Sequence, residues 1–281
     1  MMKIKLVSAF LVLALANMAC GFNINVPEMP TPGPEVTDQI SVSVPDEDKV
    51  NLKLSFGAGD MKLAPGAKKL VEGTAIYNYD AFKPEVVTDG GDVQIKMSEI
   101  NSLPSFDNLK NEWDLQLSDT PMDLAIESGA YSGTFELGGL SLNNLSIQDG
   151  AANVELSFSE PNLVEMSTFQ YETGASNVKI SGLANANFSL FNFSSGAGDY
   201  TLDFSGELQR DASVTISSGL SNVMLIIPEG VNAVVTIDSG VSNVSAGPEW
   251  DQNGDVYEQS GEGPTLTIVI NIGAGNVTLT K

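Results

Sequence analysis

The sequence contains no histidine, one cysteine and one arginine among its 281 residues. Without histidine, the commonest general base and the commonest zinc ligand are both missing. Because Cys20 stands alone, the chain can form neither an internal disulfide nor a cysteine metal cluster. Positive charge is scarce as well, with 13 Lys and Arg against 36 Asp and Glu. A surface of that sign repels phosphate backbones, so we expect no nucleic-acid partner.

The first twenty residues, MMKIKLVSAFLVLALANMAC, have the composition of a secretion signal. Two lysines precede an apolar run over residues 6–15, which is too short to span a membrane as a helix. The tripeptide Met-Ala-Cys that ends at Cys20 resembles the lipobox of bacterial lipoproteins, in which this cysteine becomes the lipidated first residue. The alternative is ordinary cleavage after Ala16, which leaves Cys20 as a free thiol. We predict a signal peptide over residues 1–19, lipidation of Cys20, and a lipid anchor that holds the protein on the cell envelope outside the cytoplasmic membrane.

Residues 20–49 contain five prolines and few large apolar residues. Proline fixes φ and favours an extended, semi-rigid chain. We therefore predict that this segment, which begins at the lipidated Cys20, is a spacer between the membrane and the folded domain.

A short glycine motif recurs through the rest of the chain: glycine, two small or aliphatic residues, Asn or Asp, then an apolar residue. The copies are GAGDM at Gly57, GAANV at Gly150, GASNV at Gly174, GAGDY at Gly196, GLSNV at Gly219, GVSNV at Gly240 and GAGNV at Gly273, with a degraded copy at Gly129. From Gly129 to Gly240 the intervals are 21, 24, 22, 23 and 21 residues, and the last interval is 33. Such regular spacing indicates a repeat architecture.

Apolar and polar residues alternate on both sides of most of these motifs, as in Tyr200, Leu202 and Phe204. This alternation is typical of strands with one buried face. We interpret each unit of about 22 residues as strand, tight turn and strand, with the motif as the turn. One such unit cannot bury its own apolar face, so the units must stack. The sequence predicts an all-β solenoid in which Asn and Ser side chains form ladders between repeats.

Residues 50–110 depart from the repeat pattern, although they contain the first motif. Terminal repeats of such stacks are expected to be atypical. We predict an N-terminal cap or subdomain over residues 50–110 and the repeat solenoid over residues 111–281.

Three short blocks occur in order along the chain together with the serial glycine motifs: LVEGT at Leu70–Thr74, WDL at Trp113–Leu115 and PMDL at Pro121–Leu124. In these features residues 50–281 resemble the bacterial toastrack domains. These include the extracytoplasmic part of the LiaF-like cell-wall-active antibiotic response proteins and related adhesin β-helix families. The resemblance implies a toastrack-like stack that serves as a surface scaffold or interaction module, without catalytic residues to transfer. LiaF-like proteins have transmembrane helices before this domain, where this chain has a signal and a predicted lipid anchor.

The glycine motifs do not match a phosphate-binding loop, which opens a helix and carries lysine, because GAGDY at Gly196 opens a strand and has no lysine. We therefore expect no bound nucleotide and no cofactor, with calcium as the one exception to consider. The insert before the last motif places Asp251, Asn253 and Asp255 at alternating positions, as in a calcium loop, but without the later bidentate glutamate. These three residues are the candidate metal ligands.

The same insert, residues 248–264, contains Trp250 and Tyr257, whose aromatic rings suit contact with sugars or proteins. We predict a candidate binding edge here, and the alternative is an exposed loop that caps the last repeat. The function that the sequence favours is a non-catalytic envelope lipoprotein that binds another envelope or surface protein or glycan. The alternative function is a carbohydrate-active enzyme or a glycan-binding protein on a β-helix scaffold.

Overall fold

The computed structural model describes residues 31–98 and 108–281. The predicted signal peptide over residues 1–19 and the predicted lipidation of Cys20 lie outside the described residues. Two short 3₁₀ helices, Asp80–Phe82 and Leu183–Ala186, accompany the strands, and no helix within the described ranges is long and apolar enough to cross a membrane. The strands are β1 Val36–Val42, β2 Val50–Pro65, β3 Val71–Tyr77, β4 Pro84–Asp89, β5 Asp92–Met97, β6 Asn111–Leu117, β7 Met122–Glu136, β8 Leu142–Ser157, β9 Met166–Ser181, β10 Phe188–Asp203, β11 Ala212–Ile226, β12 Asn232–Ala246, β13 Asp251–Asn253, β14 Val256–Gln259 and β15 Thr265–Thr280.

The long strands β2, β7, β8, β9, β10, β11, β15 and β12 are stacked in this order as parallel neighbours in one sheet. The repeats pair in register, so that Asp199 of β10 lies opposite Asn177 of β9 and Asn222 of β11. The prediction of an all-β, solenoid-like stack of repeats of about 22 residues is confirmed. The stacking order departs from chain order at the C-terminal end, where β15 pairs with both β11 and β12.

The structure corrects the interpretation of the glycine motif as a turn between two strands. A single strand of 15 or 16 residues passes through each motif, as in β10. Phe193 precedes the motif in β10 and Tyr200 is its last residue, yet their ring centroids are only 5.0 Å apart. Since seven residues of straight strand would cover about 23 Å, the strand must be folded back at the motif. The two halves of each strand therefore face each other across the core, and the buried positions shift by one residue between them.

The motif glycines form a column along the line where the strands fold back. At each of these positions the neighbouring repeat leaves no room for a side chain. A Cβ at Gly196 would lie 2.6 Å from the carbonyl oxygen of Gly174, and one at Gly219 would lie 2.6 Å from that of Gly196. The same close approach recurs from Gly129 through Gly273 to Gly240. The glycines are thus required by contact between repeats.

The predicted amide ladder is present on the outer face of the second half-strands. Asn222 donates through Nδ2 to Asp199 Oδ1 at 2.6 Å, Asn276 donates to Asn222 Oδ1 at 2.6 Å, and Asn243 donates to Asn276 Oδ1 at 3.2 Å. Four successive repeats of the stack are linked in this way.

At the N-terminal end the two layers of the stack continue into different strands. The first half of β2 pairs with β5, which pairs with β4, whereas its second half pairs with β6, followed by β3 and β1. From Val50 to Leu63, β2 also pairs with β7, so the first strand of the predicted cap is a full repeat of the stack. The boundary drawn at residue 110 precedes β6, which pairs with strands of the predicted cap.

The predicted spacer over residues 20–49 does not remain outside the fold along its full length. Its later part contains β1, which forms an antiparallel pair with β3. Ile40 and Val42 of β1 are buried in the core, because alternate residues of this strand continue the apolar inner face of the sheet.

Candidate binding groove

A large groove lies on the outer face of the first half-strands, at the N-terminal end of the stack. It has a volume of about 700 Å³, within the range of about 300 to 1,000 Å³ that is typical of ligand clefts. Its walls come from β4, β5, β2, β7, β8 and β9, adjacent in that order in the sheet. The β4–β5 hairpin forms one rim of this concave face.

Two rows of outward-facing side chains cross the groove perpendicular to the strands. The sheet register places one residue from each of the six strands in each row. Six strands at about 4.8 Å spacing give each row a length of about 24 Å. The central row is Val87, Gln94, Lys53, Ala125, Ser146 and Gln170, and the acidic row is Asp89, Asp92, Asn51, Asp123, Asn144 and Thr168.

Amide side chains position two carboxylates of the acidic row. Asn51 donates through Nδ2 to Asp92 Oδ1 at 2.6 Å, and Asn144 donates through Nδ2 to Asp123 Oδ1 at 2.8 Å. Each bond joins neighbouring strands, so the carboxylates are held in the row by the register of the sheet. A carboxylate has two oxygens that accept hydrogen bonds, so each retains acceptor capacity toward the groove.

Both lysines at the groove are engaged in ion pairs. Lys53 Nζ lies 2.7 Å from Glu127 Oε1, and Lys49 Nζ lies 3.0 Å from Asp123 Oδ2. The Lys49 side chain is 70% exposed, and such exposed pairs contribute at most about 1 kcal/mol. A cation from a ligand could therefore replace Lys49 at little cost.

The arrangement suits recognition by contact and hydrogen bonding. Its floor includes the small Ala125 and Ser146, and its rim includes Val87, an apolar side chain that is 47% exposed. The donors and acceptors on its walls are amides, hydroxyls, carboxylates and the ammonium group of Lys53. None of the described residues that line the groove is aromatic.

The structure does not support the predicted binding edge at Trp250 and Tyr257. Both rings are buried, with exposures of 7% and 6%. Strand β14 extends the sheet beyond β12 and pairs Tyr257 with Val235, which itself faces the core. Tyr257 must therefore point inward with Val235, and it cannot offer its face to a ligand in this conformation.

The three candidate metal ligands lie in a hairpin between β13 and β14. Asn253 pairs with Val256, and Gly254 at φ +63° and Asp255 form the two-residue turn between them. Asp251 and Asn253 are exposed. Within the two described ranges, no group of three or more Asp, Glu or Cys side chains is arranged to hold a metal ion. Asp251, Asn253 and Asp255 thus belong to a tight hairpin whose two-residue turn begins with glycine, which is the preferred residue at the first position of a type II′ turn.

A second polar cluster lies beside the line where the strands fold back. It was not predicted from the sequence. Asp149 accepts hydrogen bonds from the hydroxyls of Tyr171 at 2.9 Å, Tyr131 at 3.4 Å and Ser176 at 3.4 Å, and also from Thr173 Oγ1. Burial raises the pKa of the Asp149 carboxyl above its ordinary value, although these hydroxyls act in the opposite direction. Burial also raises the pKa of the Tyr131 and Tyr171 hydroxyls, and the nearby Asp149 adds to both shifts. These groups connect three repeats inside the stack.

We expect the raised pKa of Asp149 to appear in the pH dependence of stability. Because the folded state keeps the Asp149 proton to higher pH than the unfolded state, this group favours folding at low pH. That contribution is lost as the pH rises through the folded-state pKa. Relative to Asp149→Asn, which cannot ionise, the unchanged protein should lose stability between about pH 3 and neutral pH. Urea unfolding of both proteins across this range measures the difference between their free energies of unfolding. A difference that stays constant with pH, or that changes in the opposite direction, would contradict the assignment.

The fold and the groove define a two-layered β-solenoid with a concave polar face at its N-terminal end. A family model described as "N-terminal domain of toast_rack, DUF2154" matches residues 31–181, more than half of the chain. The chain belongs to this family, as the blocks at Leu70–Thr74, Trp113–Leu115 and Pro121–Leu124 suggested.

Two solved structures share the fold over most of their length. A proposed cell adhesion protein from Clostridium sporogenes is 19% identical, with a TM-score of 0.51, covering 88% of this chain and 99% of its own. A proposed adhesin from Bacteroides fragilis is 13% identical, with a TM-score of 0.51, covering 88% of this chain and 97% of its own. At these identities the likeness shows the fold alone. No curated protein matches the sequence significantly.

Proposed function

We propose that the protein is a non-catalytic, lipid-anchored protein of the cell envelope that binds another envelope or surface component, in the manner of an adhesin. The observation that carries the proposal is the groove, in which two rows of side chains from six strands form one concave face. A stiff, in-register stack holds this face in place without help from flexible loops. The resemblance in fold to proposed adhesins is consistent with such a role.

The positions of the cationic groups support a binding role over a catalytic one. Polysaccharide cleavage on a β-helix scaffold would use a basic group beside a carboxylate cluster or a pair of carboxylates. Arg210 Nη2 lies 2.8 Å from Glu165 Oε1, its Nε donates to Asn187 Oδ1 at 3.0 Å, and it is not among the groove-lining residues. Lys53, which does line the groove, is paired with Glu127.

Filling the groove tests the proposal. Ala125 lies in the centre of the central row and faces outward, so Ala125→Trp should obstruct the groove without touching the core. The purified full chain is tested on glycan arrays and against detergent extract of the cell envelope. We expect Ala125→Trp to reduce binding of the captured component at least about tenfold, which corresponds to about 1.4 kcal/mol.

Ser132→Trp is the matched control for the groove variant. Ser132 faces outward from the other half of the same strand β7, away from the groove. It should bind as the unchanged protein does, and both variants should retain the unchanged unfolding temperature. Equal binding by Ala125→Trp and the unchanged protein would refute the role of the groove.

The anchor proposal rests on the sequence around Cys20 and has its own test. In cells that produce the full chain, Cys20→Ser should move the protein from the membrane fraction to the soluble fraction. Mass spectrometry of the unchanged protein should give a mature N-terminus at Cys20 that carries a lipid. An unmodified Cys20, or a mature chain that starts at Asn17, would contradict the anchor and leave the groove proposal untouched.

A further inference from the structure

We infer that the groove binds an extended, basic segment of a partner protein, with lysine or arginine side chains against the acidic row and the rest of the segment along the central row. This inference rests on the proposed binding role of the groove and adds the chemistry of its occupant. It depends on three features of the described residues: the carboxylates of the acidic row, the small and apolar surface beside them, and the spacing between the carboxylates.

The charges in and around the groove favour a cationic occupant. Asp89, Asp92 and Asp123 line it, and the one lining lysine, Lys53, is neutralised by Glu127 outside the lining. Asp123 is paired with Lys49, an exposed side chain that a ligand cation can replace at little cost. The whole chain has a formal net charge of −23 at pH 7. Opposite charge steers a partner toward such a surface and excludes like-charged ones. An anionic glycan or lipid headgroup would therefore be repelled.

The uncharged part of the groove distinguishes a peptide from a neutral sugar. Sugar rings are commonly bound on exposed aromatic rings, and no described residue of the lining is aromatic. The surface beside the acidic row instead combines Val87, Ala125 and the stem of Lys53. Lysine and arginine carry apolar stems below their charges, so a basic segment can use both parts of the groove at once.

The spacing of the carboxylates sets a pattern for the ligand. Asp92 and Asp123 are separated by one intervening strand, β2, which places them about 10 Å apart. In a segment with polyproline II conformation, residues three apart are separated by about 9 Å and lie on the same face. Basic residues at every third position of an extended segment would thus meet Asp92 and Asp123 together.

The probe is a fluorescent nonapeptide with lysine at positions 1, 4 and 7 and alanine elsewhere, titrated with the purified full chain and followed by polarisation. We expect saturable binding that weakens with added salt, and no binding of the same peptide with glutamate in place of lysine. The triple variant Asp89→Asn, Asp92→Asn and Asp123→Asn should bind the lysine peptide at least about tenfold more weakly, since three exposed charge pairs are lost. Asparagine retains an oxygen that can accept the bonds from Asn51 and Asn144.

The control triple variant removes the same number of charges from outward positions of the second half-strands: Asp60→Asn, Glu155→Gln and Asp203→Asn. It should bind the lysine peptide as the unchanged protein does. Equal loss in both triple variants would show that net charge alone attracts the peptide, and this result would overturn the inference. Retention of peptide binding by Ala125→Trp would also overturn it.

The two proposals can fail separately. One outcome is that Ala125→Trp abolishes binding of the envelope component, whereas the triple Asn variant still binds this component and the lysine peptide does not compete with it. The groove is then a binding site for a different ligand. A neutral glycan found on the array would be that ligand. If Ala125→Trp leaves envelope binding intact, the proposed function itself fails, whatever the peptide does.

Discussion

Replacing Gly196 by alanine is expected to destabilise the protein by about 3 kcal/mol, at the upper end of the usual cost of overpacking. The added methyl group would lie 2.6 Å from the carbonyl oxygen of Gly174. On the other side of Gly196 the approach is equally close: a Cβ on Gly219 would lie 2.6 Å from the carbonyl oxygen of Gly196. Because both neighbouring repeats are fixed by their own backbone hydrogen bonds, neither can move away freely. The strain must therefore open the stack locally.

Thermal unfolding measures this effect against a matched control. For a chain of this size about 3 kcal/mol corresponds to a fall of roughly 10 °C in the unfolding midpoint. Gly33→Ala adds the same methyl group where the nearest atom, the carbonyl oxygen of Asn78, is 3.8 Å away. It should change stability by less than about 0.5 kcal/mol. Similar midpoints for the two variants would show that the glycine column is not tightly packed.

The glycine motif shows how far the sequence leads and where it stops. Its spacing of about 22 residues predicted a stack of repeats, because regular spacing reflects the length of chain needed for one circuit. The chain does fold back at the motif, but the prediction of a separate turn between two strands was wrong, because one continuous strand passes through it. Glycine beside Asn or Asp is typical of turns and also of strands that approach each other closely. Which applies at Gly196 depends on the position of Gly174, in the neighbouring repeat. The alternation pattern on either side did contain a signal: the buried positions shift by one residue across the motif.

The groove could not be predicted from the sequence because it depends on the register between strands that are distant in the chain. Asp92 lies opposite Asn51, and Asn51 lies opposite Asp123, although each pair is far apart in the chain. Alternation identifies each side chain as facing outward, but it does not state which strands are neighbours. The β4–β5 hairpin belonged to a region that lacked the repeat pattern, so its attachment to β2 could not be inferred.

The burial of Trp250 and Tyr257 was not predicted from the sequence for a related reason. The acidic, irregular composition of the insert indicated an exposed loop, and exposed aromatic rings suggested contact with a partner. Strand β14 instead pairs with the first part of β12 at Ala233–Thr236, and this pairing determines which side of the sheet each residue faces. A short strand that is added to the end of a stack has too few residues for its alternation to be recognised.

Truncation of Phe191 is expected to cost at least as much stability as the substitution of Gly196. The Phe191 ring is fully buried and stacks on Phe169 of the neighbouring repeat at 4.4 Å between centroids. It also contacts Phe188 at 5.6 Å and Phe193 at 6.2 Å within β10. Phe191→Ala should therefore destabilise the protein by about 3–5 kcal/mol, from lost burial and the cavity that remains.

The position of Phe191 in the middle of the stack determines how that loss is observed. In a stack, each repeat is stabilised mainly by its neighbours, so a cavity at one interface can uncouple the repeats on its two sides. We expect a lower urea midpoint and a broader transition for Phe191→Ala, whereas Leu190→Ala, on the outer face next to it at 36% exposure, should do little. A Phe191→Ala transition that is as sharp and as late as that of Leu190→Ala would contradict this packing. Since β8 and β9 supply the far wall of the groove, a separate early unfolding of the repeats from β10 onward would leave peptide binding intact. Such a result would assign the groove to an independently stable N-terminal part of the stack.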